Sequence, residues 1–490
     1  MRIVRVTDVA EVQEKGKKPK VVLGASYWRL WTSSVTSNLG DGVTAIALPW
    51  LASAVTRNAL LIALIAVASR IPWLVFTLPA GVITDRLDRR KIMWLSQLFR
   101  ALLMFGGALV VVYYQTSLPD PGEVQDGVSS NNMVLYAMIL VVSLLFGFAE
   151  VLYDNSAQTI LPALVKPEGL ERANGNLWGA EMVTNSFLGP PLGSVLIGIA
   201  FALPFFFDAV TFALAAVLIF SIRGSYVARE KSEAQSGEKV DWWGEIKEGV
   251  TWLWHHPLLR PMAIILGIMN GLGSVTFATL VLFAQESLGV DAFVFAILGM
   301  SGAIGGILGS ITAPRVSKAM GSGPSLYFTL LASVFTNLII GFATHWSVVF
   351  VMFAIFSFSA VLWNVITVSL RQTIIPDELL GRVNSVYRFF AWGMMPIGLA
   401  IGGLLVAGLE AAGASRDVAL RSPWWLAAIA YVALFFYAAP KLTTQKIEAA
   451  REEGVAAKEA AEAARDSDVP STHTNDSLDG SSTDRDSDTS

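Results

Sequence analysis

Long apolar stretches alternate with short polar ones along most of this chain. Twelve apolar stretches fall at roughly 28–54, 59–83, 91–115, 133–157, 174–200, 204–222, 261–285, 291–313, 325–343, 347–369, 383–408 and 424–440. Each is close to the roughly 20 residues that a helix needs to cross a bilayer. Within lipid, backbone N–H and C=O groups must be satisfied inside the segment, so helices are the expected form. Residues 223–260 are the longest polar interruption and divide the twelve stretches six and six. The pattern therefore predicts a polar tail over 1–27, a six-helix half over 28–222 and a central loop over 223–260. A second half follows over 261–440, then a polar helix over 441–465 and an acidic Ser/Thr-rich tail over 466–490.

Two segments repeat. Gln158-Thr159-Ile160-Leu161-Pro162 is followed by Leu170-Glu171-Arg172-Ala173-Asn174, and Gln372-Thr373-Ile374-Ile375-Pro376 by Leu380-Gly381-Arg382-Val383-Asn384. Each copy sits between two apolar stretches. A repeat at that separation marks two related halves rather than an array of small units. Paired halves of membrane helices are the usual architecture of secondary transporters, with the binding site between them.

Charge gives an orientation. Connections on the side of the N-terminus hold Arg86, Arg89, Arg90, Lys91, Lys166, Arg172, Arg223, Arg229, Lys231, Lys239, Lys247, Arg260, Arg315, Lys318, Arg371 and Arg382. The opposite connections hold only Arg57, Arg416 and Arg421. By the positive-inside rule both termini are expected in the cytoplasm. In the central loop, tryptophans and charges between Asp241 and His255 alternate as on an amphipathic helix lying on the membrane surface. The segment 466–490 has too few apolar residues to build a core and is expected to be disordered.

Composition agrees and removes alternatives. Hydrophobic residues make up 54% of the chain and charged residues 15%, against about 25% charged in soluble domains. There is no cysteine, which excludes disulfides and thiolate chemistry. The four histidines have no metal-ligand spacing, and no Walker-type nucleotide loop is present. No catalytic residue, metal or cofactor is expected, and a net charge of −4 gives no reason to expect nucleic acid.

The connection after the second stretch reads Gly81-Val82-Ile83-Thr84-Asp85-Arg86-Leu87-Asp88-Arg89-Arg90-Lys91. It resembles the signature loop of the major facilitator superfamily, G-x-x-x-D-R-x-G-R-R/K, with Asp88 where that pattern has glycine. A second, eroded copy runs Gly309-Ser310-Ile311-Thr312-Ala313-Pro314-Arg315, with Ala313 in place of the carboxylate. Asn38-Leu39-Gly40-Asp41-Gly42, Glu150 to Asp154 and the two repeat copies look like the enterobactin-exporter and macrolide-efflux branch. Gly189-Pro190-Pro191-Leu192-Gly193 is similar to the core of the antiporter motif of drug exporters, without its flanking glycines.

The resemblance covers about 25–440. It implies an all-α membrane protein of twelve transmembrane helices in two pseudo-symmetric halves, the major facilitator fold. It also implies a gate at Gly81, Asp85, Arg86, Arg89 and Arg90, with Arg382 and Arg388 as its counterpart in the second half. There Gly81 allows close helix approach, and Asp85 pairs with arginines or a helix N-terminus.

Ionisable groups within spans are costly and are functional candidates by default. Here they are Asp41, Arg70, Arg100, Glu150, Asp154, Glu181, Asp208 and Arg388, nearly all in the first half. Glu150 and Asp154 are one turn apart and share a helix face. A proton-coupled carrier needs a partly buried carboxylate that binds and releases protons. Asp41 is the first candidate, with Glu150 and Glu181 beside it; the alternative is fixed ion pairs with Arg70 and Arg100. Asp154 and Asp208 are expected to be structural, near the surfaces where charge is cheap to solvate.

Trp50, Trp73, Phe277, Trp363, Trp392 and Phe390 are candidates for an aromatic cavity wall; packing aromatics are the plainer alternative. Asn38, Asn185, Asn270 and Asn364 bind either substrate or neighbouring helices. Glycines four apart (Gly189 and Gly193, Gly302 and Gly306, Gly305 and Gly309, Gly398 and Gly402) suit close helix packing.

The expected activity is proton-coupled export of amphipathic small molecules, such as macrolides or siderophores, from a bacterial cytoplasm through the plasma membrane. The partners are then substrate, protons and membrane lipid, and the default state is a monomer. A nutrient importer or a lysophospholipid flippase on the same scaffold is the main alternative; a non-transporting receptor or a membrane enzyme is the remoter one.

Overall fold

The computed structural model describes residues 23–226 and 242–467. The expectations for the N-terminal tail, the first half of the central loop and the acidic tail lie outside the described residues.

Span 1 is Ala25–Val55. Span 2 is Ala59–Val75, resuming after a break at Phe76 as Thr77–Arg86. Spans 3 and 4 are Arg89–Tyr113 and Met133–Leu164. Span 5 runs through Leu170–Glu181, Met182–Leu188 and Gly189–Ile199, and span 6 is Leu203–Phe220. A surface helix, Trp242–His255, precedes span 7, which is Leu259–Phe277 with the short continuations Leu280–Leu282 and Phe283–Ser287. Spans 8 to 12 are Ala292–Met320, Ser322–Phe342, Trp346–Ile374, Asp377–Ala411 and Arg416–Ala438, and a tail helix, Thr444–Ser467, follows. Among the described residues, ten helices are long and apolar enough to cross a membrane. Spans 1 and 2 complete the twelve: the first carries polar residues along its cavity face, and the second is broken at Phe76.

Several helices outrun their apolar stretches. The first repeat copy lies inside span 4, with Pro162 in its last turn, and the second begins inside span 10. Hydropathy stops at Asp154 and Gln158, but both side chains line a cavity between the halves, so polarity there does not end the helix. Side-chain caps mark the true starts. Asn58, Asn132 and Asp291 accept from the first backbone amides of spans 2, 4 and 8. Asp88 accepts from the Arg90 amide at 3.0 Å. The departure from the signature loop is thus an N-cap for span 3, worth about 1 kcal/mol. Span 5 widens into a π-helix over Met182–Leu188, just before Pro190 and Pro191 remove two amide donors.

Between lipid-facing helices, small residues decide how closely backbones approach. A β-carbon on Gly189 would strike Gly42, and one on Gly193 would strike the Val43 backbone, so span 5 lies directly on span 1. Gly398 and Gly402 meet Gly271 and Val275 in the same way, laying span 11 on span 7. Gly147 meets Ser69 and Pro72, joining spans 4 and 2; Gly305 and Gly309 meet Ala354 and Val361, joining spans 8 and 10. The pairings 1–5 and 2–4 in one half match 7–11 and 8–10 in the other. The two halves therefore share one packing plan.

Among the described residues, none lies within 4 Å of where a β-carbon on Gly81 would stand.

The apolar core shows how the halves meet. One large cluster joins Trp50, Val55, Ile62 and Phe205 of the first half to Phe283, Phe295, Phe353 and Trp424 of the second. At the opposite end, the clusters around Tyr27, Met93 and Ile160 and around Leu259, Trp363 and Tyr387 each stay within one half. The halves are sealed together at the end bearing Arg57 and Arg416. Toward the repeat-bearing end their cores are separate.

Candidate functional site: a cavity between the halves

A cavity of about 1720 Å³ lies between the halves and reaches from Ala52 and Leu280 at the sealed end to Asn174 and Trp178 at the other. Such a volume exceeds the ~300–1,000 Å³ of typical small-molecule pockets. Asp41, Arg70, Arg100, Glu150, Asp154 and Glu181 all line its first-half wall. The second-half wall offers Asn270, Phe277, Trp363, Asn364 and Trp392, with Arg388 as its one charged group.

Asp41 pairs with Arg100, from Oδ1 to Nη2 at 2.5 Å, and the two side chains differ sharply in exposure, 25% against 2%. Arg100 is held by two rings and a neighbouring amide besides the carboxylate. Its guanidinium lies over the rings of Phe146 and Phe212 at 4.2 and 4.0 Å, and Nη1 donates to Gln97 Oε1 at 3.2 Å. Desolvated cation–π contacts contribute about 2 kcal/mol or more, so the cation is fixed and the carboxylate presents its free side to the cavity. Arg70 lines the cavity but has no carboxylate partner among the described residues. Of the two arginines proposed for Asp41, the structure pairs it with Arg100.

Asp154 faces the cavity rather than a solvated surface. Asp208, expected to be cheaply solvated near a helix end, has no exposed surface at all. Trp50 is not on the cavity wall: it is 2% exposed and packs against Phe295 within the apolar seal, with ring centroids 6.1 Å apart. Trp73 and Trp392 meet edge to face across the two halves at 5.8 Å. Arg388 lies over Trp392 at 4.5 Å, and Phe277 stacks on Phe353. Phe390 approaches the surface-helix Trp254. Asn270 donates to the Ala391 carbonyl at 2.8 Å and ties span 7 to span 11. Asn38 and Asn364 bond carbonyls one turn back in their own helices. Gly189 and Gly193 serve the span 1–5 contact, while Pro190 reaches the cavity.

Two of the signature-loop arginines donate to first-half carbonyls. Arg89 donates to the Thr159 carbonyl at 2.8 Å, and Arg90 to that of Ile222. Arg86 is exposed, and the side chain of Asp85 lies outside the described residues. Arg382 meets Glu248 of the surface helix at 2.5 Å. Gly249 of that helix packs on the Arg382 backbone, and Lys458 of the tail helix donates to the Gln372 carbonyl at 2.8 Å. The second repeat copy is thus clasped by two surface helices.

At the sealed end a polar cluster joins the halves. Arg57 lies 3.5 Å from Glu286 and donates to Gln285 Oε1 at 2.5 Å. Gln285 donates to Ser53 Oγ at 3.0 Å. Arg416 binds Glu286 and Glu410 and donates to the Arg57 carbonyl at 2.8 Å. Sequence reasoning missed this cluster. Its signal was present: Arg57 and Arg416 are two of the three arginines on the side where positive charge is scarce.

A family model described as the Major Facilitator Superfamily matches residues 30–398. Among curated proteins, the chain is 25% identical to "Multidrug efflux pump Tap" of Mycolicibacterium fortuitum over 391 residues, 77% of this chain and 89% of that one. It is 24% identical to the protein of the same name from Mycobacterium tuberculosis (strain ATCC 25618 / H37Rv), covering 76% and 85%. Among solved structures, the nucleoside transporter NupG aligns with a TM-score of 0.62 at 12% identity, covering 84% of this chain and 98% of that one. A bacterial homologue of the iron transporter ferroportin in an inward-facing state aligns with a TM-score of 0.60 at 17% identity, over 84% and 98%.

Proposed function

Because the chain belongs to the Major Facilitator Superfamily, we propose that it exports amphipathic small molecules from a bacterial cytoplasm in exchange for protons, by alternating access. The observation that carries this reading is the cavity's division of labour. One wall holds a partly exposed carboxylate, Asp41, beside a fixed cation, with Glu150, Asp154 and Glu181 around it; the other wall is aromatic. An apolar substrate body suits the aromatic wall, and proton binding at Asp41 weakens its hold on Arg100. The efflux function of the curated relatives supports the direction of transport.

Both termini are cytoplasmic in this reading, following the basic connections. The observed conformation then opens toward the cytoplasm, and the Arg57–Glu286 cluster seals the outer face. The protein acts as a monomer, and substrate passes without covalent chemistry. Arg382 and Arg388 belong to the inner gate together with the Asp85 loop.

The test is efflux of ethidium and of a macrolide from bacterial cells lacking their main drug pumps, with and without this gene. Reduced accumulation that an uncoupler abolishes is expected. Accumulation unchanged by confirmed membrane expression would sink the export reading.

A further inference from the structure

Among the described residues, Asp208 is the most deeply buried carboxylate of the first half, and the ion pair described above does not use it. It sits in span 6 with 0% exposure. Its Oδ2 accepts from Thr44 Oγ1 of span 1 at 2.6 Å, and its Oδ1 from Thr211 Oγ1 at 3.2 Å. No cation touches it among the described residues. Burying a charge without a paired cation is costly, yet span 1 is shaped to receive this group. A β-carbon on Gly40 would overlap Asp208 Oδ1 and Thr211 Oγ1, so glycine at 40 makes the space that the carboxylate fills.

Thr44 is the link to the site already described. It lines the cavity, as Asp41 does, whereas Asp208 lies behind it. Asp41 and Thr44 are three residues apart on span 1 and share a face. Phe212, one turn beyond Asp208, carries the Arg100 guanidinium on its ring. The charged groups facing Asp208 are therefore Asp41 from span 1 and Arg100 from span 3. The adjoining part of span 5, Gly189–Ile199, has no titratable residue.

We infer that Asp208 is a second proton-binding carboxylate of the carrier, occluded behind Thr44 and exchanging its proton with the cavity through that hydroxyl. A hydroxyl both donates and accepts, so Thr44 serves either protonation state of its neighbour. In the transfer, Thr44 Oγ1 gives its hydrogen to Asp208 Oδ2 and takes one from a hydronium ion in the cavity, which is left as water, or from protonated Asp41, which is left as carboxylate. One O–H bond forms at the carboxylate, one breaks at the donor, and Thr44 is restored. Loading Asp208 removes a negative charge near Arg100 and leaves Asp41 as that cation's partner.

This inference rests on the proton-coupled reading, and its test uses no substrate, so the two fail separately. The full-length protein, purified in detergent, is followed by infrared difference spectroscopy between pH 8 and pH 5, with and without carboxyl-labelled aspartate. A protonated-carboxyl band that shifts with the label, titrates and is absent from Asp208→Asn is expected. Thr44→Val, which keeps the shape and removes the hydroxyl, is expected to slow hydrogen–deuterium exchange of that band at least tenfold. It also serves as the test if Asp208→Asn does not fold. The bands of Asp41 and the other cavity aspartates remain in Asp208→Asn; if no titrating aspartate band is lost in that variant, or if none slows its exchange in Thr44→Val, the proposal is overturned.

Discussion

Arg57, in the connection after span 1, and Glu286, at the end of span 7, stand 3.5 Å apart and join the two halves at their sealed end. The pair is partly buried, with side-chain exposures of 16% and 19%, and Arg416 braces it from the second half. Interactions that exist in one conformation and not in another set the balance between the two.

Glu286→Gln should therefore shift the carrier away from the observed state. A loss of about 1.4 kcal/mol changes the population ratio tenfold. The absence of native cysteine makes the measurement direct. Ala52, 1% exposed at the sealed end of the cavity, is replaced by cysteine and labelled from outside with an impermeant maleimide. Labelling at least severalfold faster in the Glu286→Gln background is expected. Equal rates would remove the cluster from the gate.

Asp41 and Arg100 should behave as a unit. Only Arg100 is fully buried, so removing its carboxylate leaves an uncompensated buried cation, at a cost of up to about 3–5 kcal/mol. Asp41→Asn and Arg100→Leu are each expected to lower the melting temperature in detergent, and the double variant is expected to recover part of the loss. In transport, Asp41→Asn should abolish proton-driven efflux of ethidium and spare downhill exchange. An unchanged pH dependence of efflux in Asp41→Asn would exclude it as the coupling site.

Hydropathy and the repeated segments made the twelve spans and their two halves legible, because lipid forces apolar length and backbone closure on each helix. The same logic drew the first-half acids to attention, since a charge within a span is rare. It misjudged Asp208, because depth was inferred from distance to a helix end, while burial depends on Gly40 of another span. It offered Trp50 as a candidate for the cavity wall, with packing as the alternative, because an aromatic residue in a span looks the same whether it packs or lines. It passed over Glu286 and Glu410, whose importance appears only when the ends of spans 7 and 11 meet Arg57 and Arg416.

Two glycine substitutions should separate packing from motif. Gly398→Ala places a methyl group into the Gly271 carbonyl of span 7, and that backbone has no room to yield. Loss of folded protein or a clear fall in thermal stability is expected, since overpacking costs about 1–3 kcal/mol or more. Gly81→Ala meets open space and should fold normally. If Gly81→Ala folds but transport is lost, the signature-loop glycine is needed in the opposite conformation. If it fails to fold, Gly81 is needed for packing rather than for motion.

His256 joins the surface helix to span 7 and lies outside the spans. Its Nδ1 accepts from the amides of Leu258 and Leu259 at 3.2 and 3.1 Å, capping the start of span 7. That cap requires an unprotonated nitrogen. Burial pushes the imidazole below its usual range, with Glu453 of the tail helix opposing the shift. A group depressed in the folded state contributes stability that is present above its unfolded value, about 6.5. That stability is lost as pH falls through the lower folded value. Acidification from pH 7 to pH 5 should therefore speed amide hydrogen exchange at 256–262, after correction for intrinsic rates. His256→Asn offers an acceptor that does not titrate in this range and should remove most of that pH dependence. Exchange that responds to pH equally in both proteins would show that the cap is not the titrating element. The surface helix would then be held by Leu253 and the Glu248–Arg382 pair.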